Sequence, residues 1–114
     1  MSGISTHVLD TSIGRPAVGV PVTLERQDEA GNWTQAGSGT TNADGRVPQL
    51  LGGGAALAAG IYRLTFDTAA YFRARGVESF YPSVTVQFEI RDAAQHYHVP
   101  LLLSPFGYST YRGS

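Results

Sequence analysis

Cysteine is absent from the chain, which excludes disulfides and thiol nucleophiles and leaves the compartment open. Charge is sparse: 15% of the residues are Asp, Glu, Lys or Arg, and the net charge is −1. No cluster of Lys and Arg is present that would track a phosphate backbone, so no nucleic-acid partner is expected. No apolar run approaches the roughly 20 residues of a membrane helix, so no membrane association is expected either. The opening residues lack a basic segment followed by an apolar one, and a signal peptide is not expected. Arg112-Gly113-Ser114 is not the peroxisomal Ser-Lys-Leu address, and a cytoplasmic location is the default. Gly52-Gly53-Gly54 lacks the Gly-Lys-Ser/Thr that would make it a phosphate loop, and it reads as a flexible loop. At 114 residues the chain has the size of one domain, 1–114, able to bury roughly two-thirds of its unfolded surface. So little charge on its surface hints at subunit contacts.

What the chain does have is alternation. From His96, Tyr97, Val99, Leu101 and Leu103 fall on one face of a strand, and that face is wholly apolar. His96, His98, Pro100, Leu102 and Ser104 fall on the other. Residues 4 to 10 repeat the scheme, with Ile4, Thr6 and Val8 on one side and Ser5, His7 and Leu9 on the other. Each histidine therefore lies opposite the apolar core. In an isolated sandwich that face meets water and carries charge; here imidazoles and leucines occupy it, which points to cover by a second subunit.

Gly14-Arg15-Pro16 reads as a loop. Val20, Val22 and Leu24 alternate in the next strand, whose Pro21 marks an edge or a beginning. Asp28 to Asn32 is turn chemistry, followed by a strand around Trp33, which reads as a packing residue. Asn42-Ala43-Asp44-Gly45 predicts a tight hairpin, with Arg46 directly after it. On spacing alone Arg46 is an ordinary solvated arginine; held by a rigid turn, it is also a fixed fork for an anionic or carbonyl-rich ligand. Gly60 to Phe66 alternates imperfectly through Ile61, Leu64 and Phe66, yet its Tyr and Thr favour a strand. Asp67 or Thr68 caps one short helix, Ala69 to Arg75, stopped by Gly76. Val84, Val86, Phe88 and Ile90 give another apolar strand face, and Asp92 to Gln95 connects it to the tail. The sum is all-β: an antiparallel β-sandwich of seven to eight strands with one short helix.

The last nineteen residues, HYHVPLLLSPFGYSTYRGS, are the most distinctive. Ser104-Pro105 and Gly107 turn the chain into a second strand, Tyr108 to Arg112. With STHVLDTSIGRPA, the Asp44-Gly45-Arg46 turn and IYRLTFDTAAYF, this ending resembles the 5-hydroxyisourate hydrolases, the enzyme branch of the transthyretin-like proteins. The resemblance spans nearly the whole chain. It implies a transthyretin-like sandwich that assembles as a homotetramer, a dimer of dimers with sites between the dimers. It also implies hydrolysis of 5-hydroxyisourate; no cofactor is expected, and no metal, because neither histidine motif offers a cysteine or a clear carboxylate ligand. Matched position by position, His7, Arg46, His98 and Ser114 are the expected catalytic groups. His7, Arg46, Tyr111 and His96 are the expected substrate contacts, His96 with the least defined role.

The chemistry suits those residue types. Water must be activated near pH 7, which neutral imidazole does best, and charge on the attacked carbonyl oxygen needs a cationic donor. Which histidine is the base stays open at this level, and the Ser114 carboxylate is expected to orient a basic group. Other readings stand beside this one. The His96/His98 spacing, with His7, could serve zinc in a cyclic amidohydrolase. Transthyretin itself is a small-ligand carrier, which needs an apolar, open channel. A purely structural module leaves the histidine face unexplained.

Overall fold

The computed structural model describes residues 3–52 and 56–114. In chain order these form β1 (Gly3–Asp10), β2 (Arg15–Pro16), β3 (Pro21–Gln27), β4 (Trp33–Thr40) and β5 (Arg46–Val47). β6 (Gly60–Phe66), helix α1 (Thr68–Ala74), β7 (Val84–Ile90), β8 (His96–Ser104) and β9 (Gly107–Thr110) complete the set. Two sheets face each other. One is five-stranded, in the order β2-β1-β8-β9, with β5 also paired to β1; the other is four-stranded, in the order β4-β3-β6-β7. The antiparallel sandwich expected from the alternation is thus what forms, with β1 and β8 as its one parallel pair among the described residues.

Alternation decides which side chains meet between the sheets. Ile4 and Val8 of β1 and Tyr97, Val99, Leu101 and Leu103 of β8 are buried against Val22, Leu24, Leu64 and Phe66 of the other sheet. Burying each large aliphatic or aromatic side chain contributes about 1.5–3 kcal/mol. Thr6 shares this face, and its hydroxyl donates to the Val99 carbonyl at 2.6 Å, so its polar atom is satisfied in the core. In β6 it is Tyr62, not Ile61, that turns inward beside Leu64 and Phe66. Its hydroxyl donates to the Ala58 carbonyl at 2.7 Å, which lets a phenol take a core position that apolar alternation did not mark.

The shortest elements depart from expectation. Arg15 and Pro16, read as loop, pair with Asp10 and Leu9 as a two-residue strand. Behind them Asp10 is buried and accepts from the Ser12 N–H, the Ser12 hydroxyl and the Tyr71 hydroxyl. Tyr71 is delivered by α1, which Asp67 caps through the Ala70 N–H and Gly76 ends at φ 70°. Burial first, and then the Asp10 hydrogen bond, push the Tyr71 phenol up to about 12. Pro21 begins a strand lying between β4 and β6, so it marks a beginning rather than an edge.

The Asp44-Gly45 turn is real, but it does not close a hairpin. Gly45 donates to the Asn42 carbonyl at 2.9 Å with φ 74°, and the chain crosses from β4 in one sheet to β5 in the other. The Asn42 side chain accepts from the N–H groups of both Asp44 and Arg46, and Val8 donates to the Gly45 carbonyl at 2.7 Å. A Cβ at Gly45 would stand 2.5 Å from the Val8 carbonyl oxygen, so glycine serves both the turn and the close approach. Of the glycine-rich loop, Gly53 and Gly54 lie outside the described residues.

Candidate functional site

The outer face of the five-stranded sheet gathers its polar groups through register. Parallel pairing sets Ser5 beside His98 and His7 beside Pro100, and antiparallel pairing sets Arg46 opposite His7. β9 ends at Thr110, earlier than expected, and the chain leaves the sheet through Tyr111. It returns at Gly113, whose N–H donates to the His98 carbonyl at 2.9 Å. The result is an open cleft of about 450 Å³ lined by Ser5, His7, Arg46, His96, His98, Tyr111, Gly113 and Ser114. Every site residue expected from the sequence, His7, Arg46, His96, His98, Tyr111 and Ser114, lines this one cleft.

Sequence reasoning missed Ser5, and it took Gly113 only as part of the tail Tyr111 to Ser114, with no role of its own. The Ser5 hydroxyl lies 2.7 Å from His96 Nε2 and 2.8 Å from His98 Nδ1, bridging the two imidazoles. Period two already set Ser5 on the histidine face, but only the pairing of β1 with β8 reveals what it touches. Gly113 lies against the His98 ring: a Cβ there would stand 2.5 Å from His98 Cδ2 and 3.3 Å from Pro100 Cγ. Close approach, not backbone conformation, calls for glycine at this position.

Arg112 turns away from the cleft. Its Nη2 donates to Gln95 Oε1 at 2.8 Å and its guanidinium stands 4.5 Å from the centre of the Tyr97 ring. It therefore anchors the tail, while its neighbours Tyr111 and Gly113 face the cleft. The Ser114 carboxylate was expected to orient a basic group. Among the described residues the ion pairs are Arg63–Glu25 and Arg91–Glu89, and Ser114 is in neither.

The electrostatics single out His98. Burial, first, and then the electrostatic influence of Arg46, His7 and His96 hold it below its ordinary value of 6.5; a backbone hydrogen bond at Ser5 works the other way. A neutral imidazole at pH 7 is the form that accepts a proton. Arg46 is exposed on the rim opposite His7, where its fork can meet a planar, oxygen-rich ligand. Among the described residues, no group of three or more His, Asp or Glu side chains is spaced to hold a metal ion. The cleft thus joins an imidazole that is neutral at pH 7, further imidazoles and a guanidinium around one open space.

Comparison with known proteins gives a consistent result. The HIUase/Transthyretin family model matches residues 4–113. A probable 5-hydroxyisourate hydrolase of Caenorhabditis elegans is 53% identical over 113 residues, covering 99% of this chain and 82% of that protein. The structure of Klebsiella pneumoniae 5-hydroxyisourate hydrolase superposes with a TM-score of 0.84 at 42% identity, covering 99% of this chain and 100% of that one. Sea bream transthyretin in complex with thyroxine gives a TM-score of 0.89 at 34% identity, covering 96% and 93%.

Proposed function

The chain belongs to the HIUase/Transthyretin family, and from that premise we propose that it is a 5-hydroxyisourate hydrolase of urate breakdown. It opens 5-hydroxyisourate to 2-oxo-4-hydroxy-4-carboxy-5-ureidoimidazoline by adding water across a cyclic C–N bond. The observation that carries this reading is the convergence of His7, Arg46, His98 and Tyr111 on one cleft. A carrier needs an apolar channel, and this cleft is lined by imidazoles and a guanidinium.

In the proposed mechanism His98, neutral at pH 7, takes a proton from water as the oxygen attacks the ring carbonyl. Arg46 anchors the substrate through its carbonyl oxygens and stabilises the charge that develops on the attacked one. His7, next to Arg46, holds the substrate and supplies a second polar contact, and Tyr111 closes the side of the cleft. Ring opening follows when the C–N bond breaks and the leaving nitrogen takes the proton back from His98. His96 stands at the rim as a further contact. The Ser114 carboxylate, at the edge of the same cleft, orients one of the basic groups. No metal or cofactor has a part in these steps.

The working unit is the whole of 1–114 as one transthyretin-like domain, in a homotetramer whose dimer–dimer contacts cover the histidine face, in the cytoplasm. Leu9 and Leu102, paired on that face and only half-buried, support the cover. The test is direct: 5-hydroxyisourate is generated with urate oxidase and its ultraviolet decay followed with and without the protein. Accelerated decay is the expected result; a decay equal to the spontaneous rate would overturn the proposal. Light scattering on the active protein tests the tetramer, which an active monomer would exclude.

A further inference from the structure

We infer that Ser5 is a positioning residue for the hydrolysis proposed above: its hydroxyl selects the ring nitrogen of His98 that carries the proton, and links His98 to His96 as a proton relay. The inference rests on the hydrolase reading for its kinetic consequences, but the geometry beneath it is independent of any substrate.

A serine hydroxyl has one proton to donate and lone pairs to accept with. Ser5 Oγ is within hydrogen-bond distance of two imidazole nitrogens at once, His96 Nε2 at 2.7 Å and His98 Nδ1 at 2.8 Å. With both rings neutral and the Ser5 proton held inside the bridge, it donates to one ring and accepts from the other. The two tautomers are therefore tied. If His98 donates from Nδ1, Ser5 donates to His96 Nε2, and His98 Nε2 is left with a lone pair, which is what a base requires. In the reverse arrangement His98 Nε2 carries the proton and cannot act as base. Ser5 is buried, so water competes poorly for these contacts. A backbone hydrogen bond at Ser5 also favours the protonated His98 ring.

The relay then has a direction. As water attacks, His98 Nε2 takes its proton. The Nδ1–H bond of His98 breaks and that proton passes to Ser5 Oγ, while the Ser5 proton passes to His96 Nε2. One proton has left the water and one has reached His96, with no other change in composition. His96 is exposed, so the charge ends on the ring that water solvates better, not on the one pressed by burial, Arg46 and His7. When the C–N bond breaks, the same steps run backwards and deliver a proton from His98 Nε2 to the leaving nitrogen. The charged or titratable groups around this line are His7 and Arg46 on β1 and β5, and Tyr111, Arg112 and the Ser114 carboxylate on the tail, Arg112 lining a hollow on the His96 side. None of them bridges the two rings.

The test uses the full chain labelled with ¹⁵N, with the ring nitrogens of His96 and His98 read by NMR near pH 7 beside the pH profile of hydrolysis. In the unaltered protein His98 should be the Nδ1–H tautomer. Ser5→Ala should mix its tautomers, shift the acid limb of the profile and lower kcat by about 10- to 100-fold, the scale on which groups orienting a functional histidine act. Ser5→Thr should restore all three, and Ser5→Val, matched to Thr in shape but without the hydroxyl, should not. That matched pair decides the matter if the alanine variant folds poorly. In a His96→Ala background, Ser5→Ala should cost less than it does alone, because the relay already lacks its end. Ring signals and a pH profile unchanged in Ser5→Ala, or equal behaviour of the Thr and Val variants, would overturn the inference. If the unaltered protein proved inactive, the hydrolase reading would fail while the ring signals still judged Ser5.

Discussion

The sandwich has two outer faces, and they are built on opposite rules. On the four-stranded sheet, Glu25 and Arg63 sit opposite each other in register and form an ion pair of 2.7 Å. The same guanidinium stands 4.2 Å from the centre of the Trp33 ring, and Thr65, Thr85, Gln87 and Glu89 extend the polar surface along β6 and β7. There each charge has a partner and each large ring a cover. On the five-stranded sheet the register brings together Ser5, His7, Arg46 and His98 with Leu9 and Leu102. No Asp or Glu side chain lines the cleft. The first face is what a sheet does to live in water. The second leaves cations unpaired and leucines half-covered, a stability cost that makes sense where a substrate and a neighbouring subunit complete the surface.

The largest expected effect breaks the comparison at its centre. His7→Ala, Arg46→Ala and His98→Ala should each lower the rate by about two or more orders of magnitude, the usual loss for a general base or a charge-stabilising donor. Circular dichroism should report the same sandwich, since none of the three contributes to the core. An unfolded His98→Ala protein would mean that the face is structural after all. Next in size is Gly113→Ala. Its new Cβ would meet the His98 ring at 2.5 Å, and a ring displaced by about 1 Å can cost roughly 100-fold in kcat/KM. A crystal structure of this variant with the His98 ring unmoved, together with full activity, would remove Gly113 from the site.

Smaller effects sharpen the contrast. Because His98 is held below 6.5 and works as the neutral form, activity should persist as pH falls through 6.5 and be lost only below it. The same shift sets a sign for stability. Between 6.5 and the folded value the unfolded chain binds the proton and the folded chain does not, so this group makes stability fall as pH drops across that window. An acid limb at or above 6.5 in kcat/KM would assign the base elsewhere. The smallest effect belongs to the other face. Arg63→Ala should leave the rate unchanged and cost about 1 kcal/mol in urea unfolding, since a half-exposed ion pair and one cation–π contact are each worth little. A rate loss there comparable to that of His98→Ala would mean the two faces are not functionally separate.

Much of this contrast is legible in the order of the residues, for a physical reason. A strand turns successive side chains to opposite sides, so Tyr97, Val99, Leu101 and Leu103 announce a core and His96 and His98 announce the opposite face. What escapes is whatever depends on a partner strand. Ser5 gains meaning only when β8 lies parallel to β1, and a serine on a strand carries no signal by itself. β2 and β5 are two residues long, too short to show a period. The Asp44-Gly45 turn is legible as a turn, but whether it closes a hairpin or crosses between sheets depends on β1 capturing the Gly45 carbonyl. Arg112 reads as part of the tail signature, and only Gln95 and Tyr97 reveal that it faces away.

The parallel pairing of β1 with β8 also bears on time. Ser5 and His98 are 93 residues apart in the chain, so the cleft forms only after a long loop closes, and contacts of such separation are slow to form. The four-stranded sheet depends on shorter closures and carries Trp33, the only tryptophan. In refolding from urea, tryptophan fluorescence should therefore recover ahead of hydrolysis, and simultaneous recovery would show that the sandwich condenses as one unit. A chain stalled between those events would carry a formed sheet and no enzyme, so the seam that joins the histidines also makes activity a late report of complete folding.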